Sequence, residues 1–232
     1  MAIKLSKDVI EELDELMEKL SKGDPEDRQM ASARLVGYES SGKIPLEAIL
    51  EMADDENPSV SIYAIQALSR NKSGPAIKKL VKKCREVKDG NLILLETIID
   101  ALGATGDPST APLLFELVGM QYGTMARVKA RFKGKAKAQG NDSRRINHLM
   151  LPVVRALSGI QDPKIAEKLG GFLEHEDSLV RWHAIQGLLK TRVTTYNDRL
   201  KKMASDEKNE IVREACEIAL AELAPLPDNL NN

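Results

Sequence analysis

Apolar residues in this chain fall at intervals of three and four, in short runs that come in pairs. In residues 60–69, VSIYAIQALS, the positions Ile62, Ile65 and Leu68 share one helical face, and Ile77, Leu80, Val81 and Cys84 do the same in the run that follows. No run alternates with the period of two that a strand would need. The pattern predicts an all-α chain.

The pairs recur. First helices are predicted over 28–37, 60–69, 92–103, 149–159, 179–189 and 211–223, and aligning Leu35, Leu68, Leu102, Leu157, Leu188 and Ala219 gives intervals of 33, 34, 55, 31 and 31 residues. The long interval holds one repeat plus an insertion. Pro45, Pro75, Pro108 and Pro163 stand near the starts of second helices, where a missing N–H costs nothing. Asp or Asn precedes proline at Asp24, Asn57, Asp107 and Asp162, so that each side-chain oxygen can cap the helix that follows. Pro152 falls inside a first helix and predicts a kink.

A two-helix unit of this size cannot fold alone. Its buried apolar side chains contribute roughly 1.5–3 kcal/mol each, while ordering the unit costs about 1.5 kcal/mol per residue. Stacked neighbours must supply the difference, so the predicted architecture is a right-handed α-solenoid of about six helical-hairpin units with an inserted basic loop. One domain is expected over residues 1–225. Residues 1–21 form its N-terminal capping helix, with Val9, Ile10, Leu13, Met17 and Leu20 facing inward, and 226–232 form a disordered tail.

The units DENPSVSIYAIQALSRNKSGPAIKKLVKK and HEDSLVRWHAIQGLL, each with an acidic turn, Val-(Arg/Ser) and then small residues and Leu, resemble HEAT-like repeats of the short bacterial and archaeal type, which also occur in phycobiliprotein bilin lyases. The resemblance covers about residues 22–223 apart from the insertion. It implies a helical solenoid whose second helices line a concave surface. Asn91-Leu92-Ile93 departs from the pattern by lacking the Val-Arg pair.

Composition narrows the chemistry. Only 3% of the 232 residues are aromatic, which counts against base-stacking sheets and π-lined cofactor pockets. The formal charge of −1 offers no overall field toward nucleic acid or membrane. The N-terminal run lacks a signal-peptide pattern, no window has the apolar length of a membrane span, and the two cysteines, Cys84 and Cys216, lie in no ligand spacing. A cytoplasmic protein with reduced thiols is expected.

Charge is nevertheless unevenly distributed. Residues 121–146, the basic insertion, carry Arg127, Lys129, Arg131, Lys133, Lys135, Lys137, Arg144 and Arg145 against Asp142 alone, a net +7, whereas residues 1–59 carry a net −8. Lys78, Lys79, Lys82 and Lys83 form a second cluster on one face of a predicted second helix. Lys164, Lys168, Arg199, Lys201 and Lys202 would extend a basic concave face, although for Lys164, Lys168 and Arg199 the solvation of an exposed helix face is the favoured reading.

Other patterns do not carry chemistry. Residues 37–44, GYESSGKI, follow the spacing of a phosphate-binding loop but lack the hydroxyl after Lys43, follow a helix rather than a strand, and are read as an interhelical turn using Gly37 and Gly42. His148, His175 and His183 form no ligand pair. HEAT-like di-iron hydroxylases use several His-Glu pairs, and His175-Glu176 is one. HEAT-like DNA glycosylases use several aromatics with an Asp, and Trp182 is single. His183 beside it is read as a packing or capping residue.

These observations predict a non-catalytic scaffold or adaptor, without cofactor or metal, that binds an acidic segment of a protein partner through the basic face and arm. Nucleic-acid binding through phosphate contacts is an alternative, weighed against by few aromatics and a net charge near zero. A bilin lyase-like or chromophore-chaperone role is a third, implied by the resemblance alone.

Overall fold

The structure, a computed structural model, describes residues 7–39, 45–87, 91–119 and 140–224. Arg127, Lys129, Arg131, Lys133, Lys135 and Lys137, most of the phosphate-loop-like run, and the tail expected over 226–232 lie outside the described residues. Backbone contacts divide the chain into two compact units, Met1–Thr105 and Gly106–Asn232. The described residues form twelve α-helices and no strand.

The first unit contains α1 (Lys7–Lys22), α2 (Pro25–Glu39), α3 (Leu46–Met52), α4 (Pro58–Arg70), α5 (Gly74–Glu86) and α6 (Leu92–Thr105). Here α2, α4 and α6 are the first helices, with α4 packed against both others; α1 covers α2, and α3 and α5 fold back on α4. The second unit contains α7 (Ala111–Leu117), α8 (Gly140–Leu157), α9 (Ala166–Gly171), α10 (Ser178–Thr191), α11 (Asn197–Asp206) and α12 (Glu210–Leu223). In it α10 packs against α8, α9 and α12, α7 against α8, and α11 against α12.

The starts of these helices follow from local hydrogen bonding. Asp24 accepts from the N–H groups of Glu26 and Asp27, both at 2.9 Å, and Asn57, Asp107 and Asp162 accept from Ser59, Ser109 and Lys164 at 3.0, 2.8 and 2.9 Å. All four expected caps form. Asn91, Asp177 and Asn209 cap α6, α10 and α12 in the same way, through Leu94, Leu179 and Val212. At Pro108 and Pro163 the proline opens a single 3-10 turn before α7 and α9 begin.

The residues that defined the repeat are its core. Leu35, Leu68, Leu102, Leu157, Leu188 and Ala219 are all at most 1% exposed. In α4, α6 and α10 two adjacent pairs point inward: Ala64-Ile65 with Ala67-Leu68, Ile98-Ile99 with Ala101-Leu102, and Ala184-Ile185 with Gly187-Leu188. Small residues among these let first helices approach their neighbours closely. Gly170 serves the same end in α9, since a Cβ there would overlap the ring of Tyr196.

Three local expectations change. In α1 the buried residues are Leu13, Leu16 and Leu20, so Leu16 takes the inward place expected of Met17, which is only partly covered; the i, i+3, i+7 phase selects it. Gly37 lies inside α2, which runs to Glu39, rather than in an interhelical turn. α8 begins at Gly140, nine residues before the predicted start, so Arg144 and Arg145 belong to a helix and not to an inserted loop. Pro152 lies within that helix, as expected.

Candidate functional site

Among the described residues, the candidate cations outside the 121–146 run come mainly from second helices and the turns that lead into them. On α5, Ile77, Leu80 and Cys84 are buried and set the helix orientation, leaving Lys78 and Lys82 exposed. Lys79 and Lys83 are not presented equally. Their side chains are 14% and 17% exposed, and both ammonium groups reach Asp54, which follows α3: Lys79 donates a hydrogen bond to Oδ2, and Lys83 Nζ lies 3.4 Å from Oδ1. Burial alone would push the Asp54 carboxyl up, but the two lysines outweigh it and hold the pKa below its usual value. Lys82 lies 3.7 Å from Glu86 in an exposed i, i+4 pair worth only a few tenths of a kcal/mol.

The four lysines predicted to act together thus divide into two exposed cations, Lys78 and Lys82, and two held by the Asp54 carboxylate, itself about half exposed. Helical periodicity places all four on one side of α5. It carries no information about a carboxylate in the preceding turn.

In the second unit three of the five cations singled out there are engaged individually. Lys168 Nζ sits 5.2 Å from the centroid of the Phe115 ring, Arg199 Nη2 is 2.8 Å from Glu174, and Lys201 Nζ is 3.2 Å from Asp198. Lys164 and Lys202 are exposed. These pairings favour the structural role weighed for these residues over a continuous cationic face. Arg144 and Arg145 lie in α8, in its first two turns.

A second set of charges, missed by sequence reasoning, ties successive repeats together. Four residues after each of the caps Asp24 and Asp177 stands an arginine, and two residues before each of the caps Asn57 and Asn209 stands an acid. Arg28 Nε lies 3.1 Å from Asp55, and Arg181 grips Glu207 through Nε and Nη2, both at 2.9 Å. The same acids accept their own cap residue's N–H, Asp55 from Asn57 at 2.7 Å and Glu207 from Asn209 at 2.9 Å. Arg181 also donates to the carbonyls of His175 and Glu176, at 2.7 and 2.9 Å. Each arginine therefore fastens the turn before its own helix to the turn before the next. The Val180-Arg181 pair was the available signal for the second clip; Arg28 follows Asp27 and carried none.

Chemically the described residues hold no cluster of three or more His, Cys, Asp or Glu side chains placed to hold a metal. His175 accepts the Asp177 N–H on Nδ1 at 3.1 Å, and burial lowers its pKa. Asp177 itself caps α10, so the His175-Glu176-Asp177 run is an inter-repeat turn. Trp182 and His183 pack edge to face, with centroids 4.7 Å apart. Cys84 and Cys216 are buried and outside any disulfide, and burial, with Glu207 and Glu217 nearby, pushes the Cys216 pKa up to about 11, leaving it un-ionised at neutral pH. No described helix is long and apolar enough to cross a membrane.

A family model for HEAT repeats matches residues 46–127 and 151–221. Among solved structures, the crystal structure of an engineered protein superposes with a TM-score of 0.51 at 16% identity, covering 91% of this chain and 96% of the other. Human deoxyhypusine hydroxylase in complex with glycerol gives a TM-score of 0.37 at 17% identity, covering 92% and 96%. At 16% identity the first of these likenesses concerns the fold alone. No curated protein matches the chain significantly.

Proposed function

Because the chain belongs to the HEAT-repeat family, we propose that it is a protein-interaction scaffold whose partner presents an acidic segment to the basic residues of α5 and of the 121–146 run. The observation that carries this is the inequality on α5: Lys78 and Lys82 face solvent while Lys79 and Lys83, a turn-edge away, are oriented by Asp54. Lys78 and Lys82 are thus the α5 cations presented to a partner, with Lys79 and Lys83 beside them partly neutralised by Asp54. Arg127, Lys129, Arg131, Lys133, Lys135 and Lys137, with Arg144 and Arg145, add a second basic element in sequence. Attraction of this kind accelerates encounter and is screened by salt, while the repeat surface supplies the shape.

The role is non-catalytic and needs no cofactor; buried, un-ionised thiols such as Cys216 are in keeping with a reducing, cytoplasmic setting. Pull-down from cell extract at low and moderate salt, read by mass spectrometry, tests the proposal with two variants. One changes Lys78 and Lys82 to Glu; the other changes the six basic residues from Arg127 to Lys137 to Ala. Acidic protein partners should disappear from both variants and weaken with salt in the native chain. Partner sets identical in all three proteins would overturn it, and capture abolished by nuclease would assign the basic residues to nucleic acid instead.

A further inference from the structure

A different surface, of opposite charge, lies on the first helices of the second unit. Counted from their caps Asp177 and Asn209, Leu179 of α10 and Ile211 of α12 hold the same register position on adjacent helices, and both are exposed, at 51% and 61%. Ile218, two turns beyond Ile211, is 44% exposed. Exposed large side chains scattered singly need no explanation, but two in register on packed helices, with a third on the same face of one of them, form a stripe.

Around this stripe carboxylates predominate: the cations nearest it in α12 and its leading turn are Lys208, exposed three residues before Ile211, and Arg213, which is partly covered and donates to the Glu207 carbonyl. Glu210, Glu214 and Glu217 of α12 are exposed, and among the described residues no cation lies within ion-pair distance of any of them. Elsewhere in the same unit Glu174, Asp198 and Glu207 each meet an Arg or Lys. An apolar stripe lined by unneutralised carboxylates repels an acidic partner and favours one that brings both apolar contact and positive charge. The spacing specifies its form: Ile211 and Ile218 stand seven residues, about 10.5 Å, apart along the helix axis, which matches the i, i+7 anchors of a second amphipathic helix.

We infer that the outer face of α12, together with Leu179 of α10, docks a basic amphipathic helix of another protein. This surface shares no residue with the basic patch proposed above, so either can fail without the other.

The test titrates a fluorescent 18-residue Leu/Lys amphipathic peptide into the full chain and follows anisotropy, with a Leu/Glu peptide of the same pattern as control. Ile211→Ser with Ile218→Ser, and Glu214→Lys with Glu217→Lys, should each weaken binding at least tenfold. Thermal melts should stay unchanged, because all four side chains are exposed. Glu11→Lys with Asp14→Lys on α1 should leave binding intact. The proposal is overturned by equal binding to the native chain and both α12 variants, by a loss seen only in the α1 variant, or by tight binding of the Leu/Glu peptide. A tenfold gain in peptide affinity on changing Arg127, Lys129, Arg131, Lys133, Lys135 and Lys137 to Ala would make the chain's own basic run the occupant, and so would also overturn it.

Discussion

Asp54 decides how much positive charge α5 shows to its surroundings. Its carboxylate holds Lys79 and Lys83, and those two cations depress its pKa despite partial burial. A carboxyl with a lowered folded-state pKa contributes its stability above the ordinary value near 4 and loses it as pH falls through the lowered one, so at neutral pH the lysines stay held. Acidification would release them only where a partner's carboxylates are themselves becoming protonated. Substitution is therefore the cleaner probe. Asp54→Asn should leave Lys79 and Lys83 available and tighten binding of a poly-glutamate peptide by roughly two- to fivefold at low salt, an exposed-pair energy of a few tenths of a kcal/mol to about 1 kcal/mol. Equilibrium titration reads this directly; weaker or unchanged binding would mean that the two lysines contribute only when oriented by Asp54, or not at all.

Between elements, the Arg181–Glu207 pair carries more weight than any surface ion pair here. Both side chains are well covered, 14% and 10% exposed, and between them they hold the turns before α10 and α12. Glu207→Gln keeps the shape but leaves the guanidinium without a countercharge, and should cost about 3 kcal/mol of stability by denaturant unfolding. Burial alone would raise the Glu207 pKa, but the Asn209 N–H and the Arg181 guanidinium outweigh it and hold the pKa below normal. The native chain should therefore lose this contribution as pH falls below about 4.5, through the lowered value, and the variant should show a flatter acid limb in the same range. A variant as acid-sensitive as the native chain would mean that the clip is not what acid breaks.

The same contrast between local and tertiary determinants governs what the sequence disclosed about these elements. The caps at Asp24, Asn57, Asp107 and Asp162 were legible because each bonds an N–H two or three residues on. The Arg28–Asp55 and Arg181–Glu207 clips were not, because their partners meet only once neighbouring first helices have stacked. α8 hid its start for a related reason: its first turns, GNDSRRINH, carry no apolar periodicity until Leu149 and Met150 enter the core. In the candidate site, helical spacing located the four α5 lysines on one face, but Asp54, which divides them, belongs to another element.

At the scale of the whole molecule, a repeat chain distributes its stability by adjacency. Each first helix is buried mainly by the helices beside it, as α10 is by α8, α9 and α12. Leu188 of α10 is fully buried, and truncating it to Ala removes about 2–5 kcal/mol locally. In a domain with one undivided core that loss would raise the exchange of every slow amide alike, since all open through the same global unfolding. With two compact units, Met1–Thr105 and Gly106–Asn232, the consequence differs. In Leu188→Ala, hydrogen exchange should accelerate at least tenfold in α8, α10 and α12, while α1 and α2 change less than twofold. Urea melts followed by Trp182 fluorescence should shift to lower denaturant more than melts followed by circular dichroism, because Trp182 lies on the weakened helix and the helical signal averages over both units. Uniform acceleration with coincident melts would show the chain unfolding as one cooperative block, and its two sets of stacked helices would then be divisions of geometry without being divisions of stability.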